Sequence, residues 1–141
     1  MSQVDVFQTT LLKTGEWLRD VRQILHWDSE QHAYLALRAV LQTLRDRLPV
    51  MEAVHLGSQL PMLVRGFYYE GWTPLDKPLK FTREEFLMCI ASHFRGDPDV
   101  SAVEVTRAVI ETMGTHIDAG ELHKLLDVLP RDFADLLPAK A

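Results

Sequence analysis

The stretch Arg38–Trp72, RAVLQTLRDRLPVMEAVHLGSQLPMLVRGFYYEGW, is partly written again 69 residues downstream as Arg107–Pro130, RAVIETMGTHIDAGELHKLLDVLP. Arg38-Ala39-Val40 falls on Arg107-Ala108-Val109, Glu52 on Glu121, and Leu60-Pro61 on Leu129-Pro130. The same shift matches Glu16 with Glu85, Leu18 with Leu87, Asp28 with Asp97, Ala33 with Ala102, Thr43 with Thr112 and Leu56 with Leu125. Trp17/Phe86, Val21/Ile90, Leu41/Ile110, Leu44/Met113 and Leu48/Ile117 keep their apolar character. Twelve identities in one ungapped window, Glu16 to Phe67 against its copy, point to internal duplication.

Within each copy the apolar positions follow the period of a helix. Leu37, Leu41, Leu44 and Leu48 advance by four, three and four, and Val105, Val109, Ile110, Met113 and Ile117 make a similar stripe in the copy. Phe7, Leu11, Leu18, Val21 and Leu25 form a comparable stripe near the start, echoed by Phe86, Leu87, Ile90 and Phe94. Asp28 with Gln31, Thr82 with Glu85 and Asp118 with Glu121 have the spacing of helix N-caps followed by a reach-back residue. Asp97-Pro98 reads as a cap and first helical position, and Gly96 as the end of the preceding helix. Leu60-Pro61 and Leu129-Pro130 interrupt the apolar pattern, because residues before proline avoid helical dihedrals. No strand signal competes. The reading is all-α: two pseudo-symmetric four-helix repeats, each long, long, short and short, packed as one bundle-like domain. Residues 1–72 form the first repeat, 73–80 a linker with Pro74 and Pro78, and 81–141 the second.

Composition narrows the function classes. At 141 residues the chain can bury roughly two thirds of its unfolded surface, so a core without disulfide or metal is feasible. No apolar run approaches the ~20 residues that span a bilayer, and no basic segment followed by an apolar one suggests a secretory leader. The single cysteine, Cys89, lies among Leu87, Met88 and Ile90, which suits a reducing cytoplasm. The net charge of −5 is concentrated in residues 97–141, whereas residues 31–96 are slightly basic. That balance disfavours a nucleic-acid partner for the whole chain. It predicts instead that acidic second repeats meet the more basic first repeats of neighbouring copies.

With Thr14–Leu18 (TGEWL) and Glu84–Leu87 (EEFL), the two quoted strings resemble the bacterial family catalogued as domain of unknown function 2267. The resemblance covers nearly the whole chain and implies a small helical protein. It assigns no activity, cofactor or catalytic residue. The aromatic run of the first repeat has no copy in the second, which ends Leu136-Leu137-Pro138.

Duplication also sorts the candidate residues. Groups present in both copies serve the repeat's fold, so Arg38 is expected to pair with Glu52 and Arg107 with Glu121, a charged side chain on a packed helix needing a partner. The glutamates could instead serve only as reach-back residues. The run Phe67-Tyr68-Tyr69-Glu70-Gly71-Trp72 occurs once, and amphipathic aromatics are common interface anchors. Tyr68, Tyr69 and Trp72, with Arg65, are therefore the candidate partner surface if exposed; otherwise they seal the junction between repeats. Of six histidines only Glu52-x-x-His55 has ligand spacing, and Lys124 replaces the histidine in the copy, so no metal or other cofactor is expected. No phosphate loop or nucleophile elbow appears. Arg38, Arg45, Arg47 and Arg65 offer a foothold for DNA, but the helix from Val50 to Gln59 that would enter a groove carries Glu52 and no arginine or lysine. The expected function is a non-enzymatic module that binds a protein partner or itself. The alternative is a small-molecule or enzymatic pocket between the repeats, with His26, His55 or Tyr69 converging on it.

Overall fold

The computed structural model describes residues 4–138, and these contain helices and turns but no strand. The expected repeat ends, residues 1–3 and 139–141, lie outside the described residues. The helices are α1 (Asp5–Leu25), α2 (Glu30–Arg47), α3 (Val50–Ser58), α4 (Met62–Tyr69), α5 (Arg83–Ser92), α6 (Ala102–His116) and α7 (Ala119–Leu126). Arg131–Leu136 then forms a 3₁₀ helix instead of the fourth α-helix expected after Pro130. The other departure is α5, which is half the length of α1 because Pro74 and Pro78 keep the preceding residues out of a helix.

Local chemistry explains the boundaries. Pro49 and Pro61 stand at the N-cap positions of α3 and α4 with φ of −54° and −57°. Thr82 and Glu85 make the expected reciprocal capping box. Asp118 accepts the Glu121 N–H, but Glu121 does not reach back; its carboxylate meets His55. Two expected caps shift along the chain, by one residue before α2 and by four before α6. Ser29, not Asp28, caps α2, and Ser101 caps α6, while Asp97 accepts from the Asp99 N–H inside a turn that precedes it. Serine's short hydroxyl sits next to the first helical N–H groups, where it can satisfy one of them. Two non-glycine residues take left-handed dihedrals early in the connections that follow α1 and α5, His26 (φ 57°) and Arg95 (φ 54°).

α2 and α6 pack against each other at the centre, α1 lies on both, and α5 lies on both. Leu37, Val40, Leu41 and Leu44 of α2 and Val109 and Met113 of α6 are fully buried. Each contributes about 1.5–3 kcal/mol of burial, which makes this pair the main stabilising unit. α4 covers α1, α2 and α3, and α7 and the 3₁₀ helix cover α6.

Polar groups on α2 fasten α4. Arg45 is 5% exposed, and its Nη1 donates to the carbonyls of Tyr68 (2.7 Å) and Glu70 (2.9 Å). Gln42 donates to the Phe67 carbonyl at 2.7 Å. These carbonyls at the end of α4 lack helical partners, so donors from α2 satisfy them and the guanidinium also complements the helix dipole. Arg47 donates to the Phe81 carbonyl and lies over the Phe133 ring. The basic cluster that offered a foothold for DNA is therefore largely internal structure: Arg38, Arg45 and Arg47 are engaged in hydrogen bonds, and Arg65 alone of the four is exposed.

Candidate functional site

The expected ion pairs do not form. Arg38 donates to Glu70 (2.7 Å) and to the Tyr34 hydroxyl (3.0 Å), not to Glu52, and the Glu70 carboxylate holds its guanidinium above the ordinary range. Arg107 donates to the Asp135 carbonyl at 2.7 Å, not to Glu121. Both arginines thus hold the last segment of their half of the chain. The third helix presents its glutamate on another face. Glu121 meets His55 across α3 and α7, beside a groove of about 380 Å³ that Glu52 and Lys124 also line.

The aromatic run turns inward. Tyr68 is 0% exposed, its hydroxyl donates to the Ala53 carbonyl at 2.6 Å, and burial pushes its phenol far above the usual range. Phe67 is buried as well. Tyr69 and Trp72 are half-buried, and the Trp72 indole nitrogen is a buried donor without a protein acceptor. Tyr69 lies against α3 so closely that a Cβ on Gly57 would sit 2.2 Å from its hydroxyl. Val64, Phe67 and Tyr68 follow the i, i+3, i+4 spacing of one helical face, and that face meets the core. Of the expected partner surface only Arg65 stands in solvent. Tyr68, Tyr69 and Trp72 seal α4 against α3 and α2.

A different surface is apolar and open. Val4, Val6, Phe7, Leu11, Leu12, Met62 and Leu63 are each between 42% and 71% exposed, and all belong to the start of α1 or of α4. Phe7 and Leu11, expected in the core stripe, sit outside it at 48% and 52% exposed. The two elements meet where the Leu63 N–H donates to Thr10 Oγ1 at 2.9 Å. Along α1 the positions 4, 7, 11, 14 and 18 share one face, and Thr14 and Leu18 line a cleft of about 560 Å³ with Tyr34, Leu63 and Phe67. The exposed stripe therefore runs into an apolar cleft bounded by α1, α2 and α4. The sequence carried a signal for this: the positions that correspond to the first half of α1 fall in the proline-containing segment before α5.

A second cleft, of about 670 Å³, opens where the α1–α2 and α5–α6 connections face each other. His26 lines it as expected of the inter-repeat alternative, but His55 and Tyr69 do not. Its walls include Trp27, with Phe94 at 5.9 Å and His32 at 6.2 Å between ring centroids. Elsewhere His116 stacks on Trp17 and places Nε2 2.7 Å from the Asp20 carboxylate, tying α6 to α1. Cys89 is half-buried, and burial together with Asp46 and Glu85 pushes its thiol up, away from a reactive thiolate. Among the described residues no group of three or more His, Cys, Asp or Glu side chains is placed to hold a metal ion. None of the described helices is long and apolar enough to cross a membrane.

No curated protein matches the chain. Residues 14–136, from the middle of α1 to the end of the 3₁₀ helix, match the profile of the uncharacterized conserved protein family DUF2267, and the chain belongs to that family.

Proposed function

We propose that the protein is a non-catalytic interaction module built from a duplicated four-segment helical unit, and that it associates with a second copy of itself through the exposed first half of α1. The observation that carries the reading is the concentration of exposed large apolar side chains there: Val4, Phe7 and Leu11 with Met62 and Leu63 beside them. Isolated apolar residues on a surface need no explanation, but a contiguous patch of several hundred Å² marks an interaction site.

A second copy is the occupant that the stripe itself favours. Val4, Phe7, Leu11, Thr14 and Leu18 form an uncharged face. An antiparallel crossing centred near Thr9 sets Phe7 of each copy against Leu11 of the other, an isologous contact that closes on itself. The exposed apolar area is on the order of 500 Å² per copy, below the ~800 Å² per partner of a standard interface, so the dimer is weak, with a dissociation constant in the micromolar range. Apolar burial rather than charge attraction drives it, which replaces the contact between acidic and basic halves that net charge suggested.

Duplication is supported by positions 69 apart in the chain. Arg47 and His116 end α2 and α6, Val50 and Ala119 begin α3 and α7, and His26 and Arg95 share the left-handed conformation. The packing is reciprocal, α1 on α6 and α5 on α2. Residues 73–80 join the two units, and the lone thiol suits a cytoplasmic setting.

Cysteine cross-linking tests the contact in a Cys89→Ser background. Copies carrying Phe7→Cys mixed with copies carrying Leu11→Cys should form a covalent heterodimer under mild oxidation, faster than Glu111→Cys copies on the exposed face of α6. Equal or slower cross-linking would count against the interface.

A further inference from the structure

We propose that the cleft between the α1–α2 and α5–α6 connections binds a small organic cation, a quaternary or methylated ammonium group, among the rings of Trp27, Phe94 and His32. All three residues line this cleft. Phe94 stands at 70° to the Trp27 plane and His32 at 72°, with centroids 5.9 and 6.2 Å from that of Trp27. Near-perpendicular aromatic walls with a tryptophan at the centre suit a poorly hydrated cation, which is attracted to ring faces within about 6 Å of their centroids.

The charges on the rim point the same way. Counting histidine as neutral, the lining carries three carboxylates, Asp28, Asp97 and Asp99, against one guanidinium, Arg95. An anion would meet a negative excess. Asp97 is exposed, and one of its oxygens, Oδ1, accepts from the Asp99 N–H. A carboxylate beside aromatic walls supplies the long-range attraction, while the rings supply the selectivity for a diffuse charge over a hydrated one. A hard metal ion is the wrong occupant, because no three ligating side chains of the described residues converge. The volume, about 670 Å³, lies in the range of small-molecule sites and leaves room for more than the ammonium head. Backbone geometry fixes the rim: His26 and Arg95, both left-handed, begin the two connections that face each other.

The test is titration of the full-length protein with choline and with its uncharged carbon isostere 3,3-dimethylbutan-1-ol, followed by calorimetry and by the indole signal of Trp27. Choline should bind saturably and at least about tenfold more tightly than the alcohol, the margin that desolvated cation–π contacts supply. Trp27→Leu should weaken choline about tenfold. Should that variant fail to fold, Asp97→Asn and Asp99→Asn, both on an exposed turn, should each weaken choline about threefold and leave the alcohol unchanged. Equal affinity for the alcohol, no saturable choline binding, or choline affinity unchanged in the aspartate variants would overturn the assignment.

Discussion

Replacing Arg45 by methionine isolates the device that holds α4 to the centre of the molecule. The substitution keeps an unbranched apolar stem of similar reach and removes only the guanidinium. Two carbonyls, of Tyr68 and Glu70, then lose donors at 2.7 and 2.9 Å. A hydrogen bond from a charged donor is worth about 1.5–3 kcal/mol, and a carbonyl left buried without a partner costs about 1–3 kcal/mol. The contacts to Asp46 at 2.9 and 3.1 Å add little, since that carboxylate is partly in water and rehydrates. The expected loss is about 3–5 kcal/mol, a large share of the ~5–15 kcal/mol that holds a domain together. For a chain of this size that corresponds to a fall in melting temperature of roughly 10–15 °C. Urea unfolding followed by far-UV dichroism measures it, with Arg45→Lys expected between wild type and the methionine variant because one carbonyl can keep a donor. A methionine variant within about 1 kcal/mol of wild type would refute the reasoning.

Three further outcomes follow from the packing around α4 and the 3₁₀ helix. Tyr68→Phe should cost about 1–2 kcal/mol in chemical denaturation, since the hydroxyl's 2.6 Å bond to Ala53 is buried and the carbonyl is left without it, and should leave self-association unchanged. Gly57→Ala should destabilise by about 1–3 kcal/mol and raise the solvent exposure of Trp72, because the added methyl displaces the Tyr69 ring that packs on it. The pH dependence concerns Asp135, whose carboxyl is held below its ordinary value of 3.8 by hydrogen bonds from Arg83. A carboxyl with a lowered folded-state value contributes stability that is fully present above the ordinary value and disappears as pH falls through the lowered one. The stability difference between wild type and Asp135→Asn should therefore be constant near neutrality and vanish in strong acid; a difference unchanged at pH 2 would contradict the assignment.

Much of the fold was legible because helix formation is local. Periodicity placed α2 and α6, and the Thr82–Glu85 box and Asp118 cap lie where short-range hydrogen bonding puts them. The first-turn caps of α2 and α6 were missed by a residue or more, since several short polar side chains compete for the same N–H groups and only the final chain path selects Ser29 or Ser101. Partner choice is a tertiary property. Duplication pointed Arg38 to Glu52, whereas the chain path after α4 brings Glu70 to 2.7 Å from its guanidinium. The inward turn of Tyr68 and the burial of Arg45 were readable in principle: Tyr68 lies four residues after Val64, and Arg45 four after Leu41, each on an apolar face. The apolar stripe of α1 did not show that its first half stands exposed, because periodicity is the same for a core and for an open face. The aromatic cleft joins residues 27, 32 and 94, a separation that no local pattern encodes.

Sedimentation velocity across the micromolar range, at low and at high salt, tests self-association through α1 most directly. Wild type should shift from monomer to dimer as concentration rises, with high salt leaving the transition unchanged or favouring it, and Phe7→Glu/Leu11→Glu should remain monomeric at every concentration with an unchanged dichroism spectrum. A wild type that stays monomeric throughout, or a double variant that dimerises as well as wild type, would contradict the account.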